Sequence, residues 1–269
     1  MPELPEVETT RQGIAPHCEG QTIQRVIVRN PSLRWPVPAD LAEHLEGKTI
    51  RAVERRAKYL FLHLETGSVI VHLGMSGSLR VITDDSPAMT HDHVELVLGN
   101  HRRLRFNDPR RFGCWLWTTD WNRHPLISAL GPEPLSEDFN GAWLFRLSRQ
   151  KQTPVKSFIM DNHVVVGVGN IYASEALFKA GIRPTAPAGK IGRVRLARLV
   201  NAIQQILRQA IRQGGTTISD YRGSGSGGRF QQRLSVYGRA GEPCASCQRP
   251  LQSLTMAGRN TFFCAACQK

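Results

Sequence analysis

The stretch Tyr59-Leu60-Phe61-Leu62-His63-Leu64-Glu65, then Thr66-Gly67, then Ser68-Val69-Ile70-Val71-His72-Leu73 reads as two apolar strands joined by a tight turn. On either side the chain repeats the pattern. Thr22–Arg29, Lys48–Arg55, Val94–Leu98 and Leu104–Asn107 are short runs rich in β-branched or aromatic residues. Gly20, Gly47, Gly74 and Gly99-Asn100 separate them, which predicts a β-sandwich or barrel-like amino-terminal domain. Gly131-Pro132-Glu133-Pro134-Leu135 reads as a rigid connector at its end. From about Asn140 the period turns helical. Leu196, Leu199, Val200, Ile203, Ile206, Leu207, Ala210 and Ile211 form an apolar stripe that Gly214-Gly215 closes.

Composition bounds the partner. The 269 residues hold 35 Lys+Arg against 22 Asp+Glu, a formal charge of +13. An excess of that size predicts a polyanion, because neutralising phosphates releases counterions. No apolar run reaches the ~18 residues of a membrane span, and the acidic start has no apolar signal core, so a soluble cytoplasmic protein is expected.

Three loops of the sandwich carry residues that a core does not need. Arg55-Arg56-Ala57-Lys58 is a basic step into a strand. His72-Leu73-Gly74-Met75-Ser76-Gly77 puts a methionine between two glycine turns, and Asn107-Asp108-Pro109-Arg110-Arg111-Phe112-Gly113 holds two arginines and an aromatic. Apolar wedges beside arginine suit a protein that fills a duplex after a base is pushed out; satellite-core packing is the plainer alternative. His91-Asp92-His93 heads a strand without a third ligand nearby, so metal binding is not expected there.

The start of the chain, Met1-Pro2-Glu3-Leu4-Pro5-Glu6-Val7-Glu8, reads as a capped helix, with Pro5 at its first position and glutamates in its first turn. Removal of Met1 would leave Pro2 as a free secondary amine. Such an α-amino group titrates near ~8, against ~10.4 for lysine, so about a tenth is neutral at pH 7. A neutral secondary amine forms an iminium with a sugar carbon directly, and a neighbouring carboxyl supplies acid–base help. A capped surface helix is the reading without chemistry.

In the helical half, Met160–Glu175 runs through glycines Gly167 and Gly169 into a helix beginning near Asn170, whose free N–H groups suit a phosphate. Arg222–Arg229, mostly Gly and Ser, reads as a lid or a tether. Cys244-Ala245-Ser246-Cys247 and Cys264-Ala265-Ala266-Cys267 are two halves of a four-thiolate Zn2+ site at β-hairpin spacing. Four thiolates leave no open position, so that zinc is structural. Arg259 is expected at the tip of the hairpin's turn. Cys18 and Cys114 read as inert thiols.

Taken in order, PELPEVE, RRAKYL, HLGMSGSLR, DPRRFG, MDNHVVVGVGNIYASE, VYGR and the paired cysteines make the chain resemble the formamidopyrimidine-DNA glycosylase family from Pro2 to the last cysteine. The resemblance implies an α+β protein: a β-sandwich domain at 1–131, a helical domain with a helix–two-turn–helix element at 132–235, and a zinc β-hairpin at 236–269. It implies excision of oxidised purines (8-oxoguanine, formamidopyrimidines) from double-stranded damaged DNA, with abasic-site lyase activity by β,δ-elimination through a Pro2 Schiff base, in a bacterial monomer. Pro2 would be the nucleophile and Glu3 the acid at the ring oxygen. Lys58, His72, Asn170 and Arg259 would grip phosphates, with Lys156 and Tyr237 as helpers. Met75, Arg110 and Phe112 would fill the gap left by the flipped base. His163 stands where the family is expected to carry Lys or Gln. The alternatives are an endonuclease VIII-type glycosylase for oxidised pyrimidines, whose members usually carry glycine where this chain has Leu4 and lack DPRRFG, and a non-catalytic zinc-ribbon DNA-binding protein.

Overall fold

The computed structural model describes residues 2–215 and 234–269. The Gly/Ser stretch at 222–229 and the state of Met1 lie outside the described residues. Two compact units are formed. One runs to Ser128 and takes in Gly214 and Gly215; the other comprises Ala129–Gln213 and the chain from Leu234 to Lys269.

The first unit opens with helix α1 (Leu4–Cys18), followed by β1 (Ile23–Val28), the short α2 (Leu41–Leu45), β2 (Ala52–Arg56), β3 (Tyr59–His63) and β4 (Ser68–His72). Strands β5 (Ser78–Ile82), β6 (Asp92–Leu98), β7 (Arg103–Asn107) and β8 (Cys114–Thr118) and the one-turn α3 (Pro125–Ser128) complete it. The strands form two antiparallel four-stranded sheets, in the orders β1-β6-β7-β5 and β2-β3-β4-β8. Leu60, Leu62, Val69 and Val71 from one sheet and Val94, Leu96, Leu104 and Phe106 from the other share one core, each at most 1 % exposed. In the middle strands β3 and β4 both faces are covered, since Phe61 and Ile70, between these residues, are also at most 1 % exposed. Two strands are additions to the sequence reading. Ser78–Ile82 follows directly on the His72–Gly77 loop, and Cys114–Thr118 (CWLWT) continues without a turn from DPRRFG.

The second unit holds α4 (Gly141–Ser148), α5 (Val155–Ile159), α6 (Asn170–Ala180), the 20-residue α7 (Arg193–Arg212), and the hairpin β9 (Gln252–Met256) and β10 (Arg259–Phe263). Asn140 caps α4, its side chain accepting from Trp143 N–H at 3.0 Å. Leu196, Leu199, Val200, Ile203, Leu207 and Ala210 of the apolar stripe are buried, while Ile206 and Ile211 are only partly covered. Gly131, read as part of a connector, lies in this unit, its N–H donating to Asn162 O at 2.7 Å.

Candidate DNA-repair site

The start of α1 is buried, not a surface cap. Pro2 through Val7 are all buried, with Glu3 2 % and Glu6 3 % exposed. Glu3 is the N-cap and Leu4 the first helical residue, so Pro5 stands second, where its missing N–H is still without consequence. The Glu6 carboxylate accepts from Glu3 N–H at 2.9 Å, closing a capping box that fixes the backbone beside Pro2. Two buried carboxylates beside Pro2 are an arrangement that packing alone does not call for.

Lys58 sits in the two-residue connection between β2 and β3. His72 ends β4, its ring 4.9 Å from that of Tyr59. Burial, then the charges of Lys58 and Arg34, push the His72 pKa down to about 4. The imidazole is therefore neutral at pH 7. Its Nδ1 accepts from Gly74 N–H at 3.0 Å, which leaves the proton on Nε2 as an uncharged donor. Arg34 did not figure in the sequence reading. Its backbone N–H donates to Gly113 O at 3.2 Å, and nothing in the local pattern around Pro31 signals that approach.

Met75 and Phe112 are 39 % and 41 % exposed, two of the five exposed large apolar side chains among the described residues. The Arg110 guanidinium lies over the Phe112 ring at 4.8 Å. Asp108, fully buried, ties their loops together: Oδ1 accepts from Ser76 Oγ at 2.7 Å and Oδ2 from Gly113 N–H at 2.8 Å. The loops touch so closely that a Cβ on Gly74 (φ +64°) would fall 2.5 Å from Gly113 N. Asp-Pro is a turn signal, and it marks Asp108 as a residue worth naming. Beside these loops, His91-Asp92-His93 is structural. Asp92 accepts from Arg80 and Asn107, and His93 Nε2 lies 2.9 Å from Asp108 O.

In the second unit, Asn170 opens α6 after N-cap Gly169. Its Nδ2 donates to Asn260 O at 3.0 Å and lies 3.4 Å from the Tyr237 hydroxyl. Lys156, expected among the phosphate contacts, is 2 % exposed. Its ammonium donates to Asn170 Oδ1 (2.5 Å), Thr261 Oγ1 (2.6 Å) and Asn260 O (3.4 Å). The carboxylate of Glu175 collects the N–H groups of Ser235, Val236 and Tyr237 at 2.8–2.9 Å. Glu175 also escaped the sequence reading; a mid-helix glutamate carries no signal of partners sixty residues on. Arg259 is exposed and opens β10 directly after the Ala257-Gly258 turn, both with positive φ.

The sulfurs of Cys244, Cys247, Cys264 and Cys267 all lie within 4.8 Å of one another, the 244–267 pair at 3.9 Å and the 247–264 pair at 3.5 Å. A tetrahedral thiolate shell with ~2.3 Å bonds needs sulfurs roughly 3.8 Å apart, so the four fit a zinc ion. No other such cluster occurs among the described residues. Cys18 and Cys114 are fully buried, and burial pushes both thiols up to about 12, which leaves them unreactive.

Profiles of known families match in three places: the formamidopyrimidine-DNA glycosylase N-terminal domain over residues 1–115, its H2TH domain over 130–222, and the zinc finger found in FPG and IleRS over 241–269. The formamidopyrimidine-DNA glycosylase of Marinobacter nauticus is 81 % identical and that of Stutzerimonas stutzeri 56 %, each aligned over the whole of both chains. Among solved structures, the MutM (Fpg) protein of Thermus thermophilus superposes with a TM-score of 0.89 at 41 % identity, over 99 % of this chain and 98 % of that one. The Lactococcus lactis Fpg in complex with abasic-site DNA gives 0.92 at 34 % identity over the full length of both. Sequence identity, the three profiles and the shared fold agree along the whole length, and the chain belongs to the formamidopyrimidine-DNA glycosylase family.

Proposed function

We propose that this chain excises oxidised purines, 8-oxoguanine and formamidopyrimidines, from duplex DNA and then cuts the strand at the abasic site through a Schiff base on Pro2. The observation that carries the reading is the buried start of α1, where Glu3 and Glu6 flank the backbone next to Pro2. With Met1 removed, the Pro2 amine attacks C1′ of the damaged nucleotide as the glycosidic bond to the base breaks. Glu3 gives a proton to the ring oxygen, the ring opens, and an iminium joins Pro2 to the sugar. The positive iminium acidifies the neighbouring sugar protons. β-Elimination then releases the 3′ phosphate, and δ-elimination the 5′ phosphate.

Lys58, neutral His72, Asn170 and Arg259 hold phosphates around the lesion; Tyr237 assists beside Asn170, and Lys156 acts through Asn170 and Thr261. Met75, Arg110 and Phe112 occupy the space of the extruded base, offsetting a few kcal/mol of lost stacking and pairing. Zn2+ on Cys244, Cys247, Cys264 and Cys267 stabilises the hairpin that carries Arg259. We take residues 1–131, 132–235 and 236–269 as the catalytic, helix–two-turn–helix and zinc-hairpin parts of a cytoplasmic bacterial monomer. No described helix is long and apolar enough to cross a membrane.

The test is borohydride trapping on a duplex with an abasic site. Mature protein is expected to give a covalent adduct. An uncleaved extension ahead of Pro2 turns the amine into an amide, so trapping and cleavage should fall to background while DNA binding persists. Normal trapping by the extended protein would remove Pro2 as the nucleophile.

A further inference from the structure

One run of polar contacts in the first unit belongs neither to the bond-breaking chemistry nor to the apolar core. Glu8 lies on α1, five residues beyond Glu3. Its carboxylate accepts from Arg11 Nη2 at 2.8 Å and from Arg55 Nε at 3.1 Å. Arg55, near the end of β2, sends its Nη1 to the carbonyl of Ala57 at 2.9 Å. Ala57 and Lys58 are the two residues between the paired Arg56 and Tyr59. Ala57 is buried with φ +56°, in the left-handed region that glycine or asparagine occupies more readily than alanine. An alanine there has to be held by its surroundings.

We propose that Arg55, anchored by Glu8, is a positioning residue for Lys58: its guanidinium clamps the Ala57 carbonyl, keeps the turn left-handed, and ties the lysine to the helix that follows Pro2-Glu3. The part assigned to Lys58 rests on the DNA-cleaving reading given above. The side chains of Arg55 and Glu8 are only 12 % and 14 % exposed, so the guanidinium is not presented outward as a phosphate contact of its own. The clamp needs a fork, because Nε serves Glu8 and Nη1 serves Ala57; a lysine has a single head. Burial alone would raise the Glu8 carboxyl, but the Arg11 hydrogen bond and the charges of Arg11 and Arg55 outweigh it and hold the pKa below the ordinary value. The anchor therefore stays ionised at any pH at which the enzyme would be assayed.

The experiment uses the full-length mature protein and an abasic-site duplex, with three readings: borohydride-trapped adduct, thermal melting, and the slope of log affinity against log salt. Arg55→Met should weaken binding about tenfold and reduce the salt slope by about one ion, the signature of one displaced phosphate contact. Arg55→Lys should do the same despite keeping its charge. Ala57→Gly added to Arg55→Met should restore both slope and affinity, because glycine adopts φ +56° unaided. Should Arg55→Met melt below the assay temperature, Glu8→Gln gives the same readings at about threefold. A wild-type slope in Arg55→Met, whatever its melting temperature, would overturn the clamp. So would wild-type affinity in Arg55→Lys, or failure of the glycine to restore the slope. A wild type that traps normally confines such a failure to the clamp. A wild type that forms no adduct would bring down the DNA-cleaving reading and the clamp with it.

Discussion

In the amino-terminal unit, the side chains proposed above to hold phosphates stand at the ends of strands packed into the apolar core: Leu60 and Leu62 lie behind the Lys58 turn, Val69 and Val71 behind His72. In the carboxy-terminal unit they hang from polar struts. Lys156 holds Asn170 and the hairpin through three oxygens, Glu175 holds Tyr237 through three N–H groups, and four thiols gather the hairpin base. Burying a leucine gives about 1.5–3 kcal/mol and tolerates reshuffling among apolar neighbours. A hydrogen bond to a charge is worth about the same, yet losing one partner strands the others without water. The first unit should therefore yield gradually to change and the second abruptly.

The largest expected effect is at the metal. Cys264→Ser should lose zinc and unfold the hairpin, since structural zinc contributes on the order of 10 kcal/mol to such modules. DNA affinity should fall at least about a hundredfold, with hydrogen exchange of Leu60–Val71 unchanged. Full affinity in the metal-free protein would take the hairpin off the DNA surface and end the contrast between the units.

A pair of methionine substitutions sharpens it further. Leu62→Met in the first unit conserves volume and should cost less than about 1.5 kcal/mol in urea unfolding. Lys156→Met, also nearly isosteric, leaves Asn170 Oδ1 and Thr261 Oγ1 dry and should cost about 2–3 kcal/mol. Equal losses would mean that the strut is no stiffer than the core.

The smallest effect is a titration. By NMR, the His72 ring should take up its proton near pH 4, and Lys58→Met should move that midpoint upward. Because the folded pKa lies below the unfolded value of ~6.5, the unfolded chain binds more protons between the two. His72 should thus leave stability unchanged above pH 6.5 and subtract from it as pH falls toward 4. A midpoint near 6.5 would make His72 an exposed, chargeable contact like those expected of the second unit.

Legibility in the sequence follows the same divide. Short apolar runs rich in β-branched and aromatic residues announce themselves between turn residues, so Tyr59–His63 and Ser68–His72 are legible as strands, and the thiol quartet from its spacing. Ser78–Ile82 was hidden because the motif HLGMSGSLR spans a loop and a strand without a break in composition. Lys156 reads as a helper among the phosphate contacts, since nothing near it in the chain discloses that its ammonium will bond Thr261. Likewise, Glu3 and Glu6 read as first-turn surface carboxylates, and only tertiary packing buries them. Polar struts between distant segments have no period, and therefore no signature.

The span of those struts also sets an order of events during translation. Glu8 meets Arg55 across 47 residues, so helix α1 can be tied in while most of the chain is unmade. Lys156 must wait for Thr261, 105 residues later, a gap of roughly 5–20 s at ordinary elongation rates. The ribosome therefore delivers the Glu8–Arg55 tie before the Lys156 strut. A growing chain can thus hold the contacts of its first unit while those that Lys156 makes to Thr261 and Asn260 are still unmade.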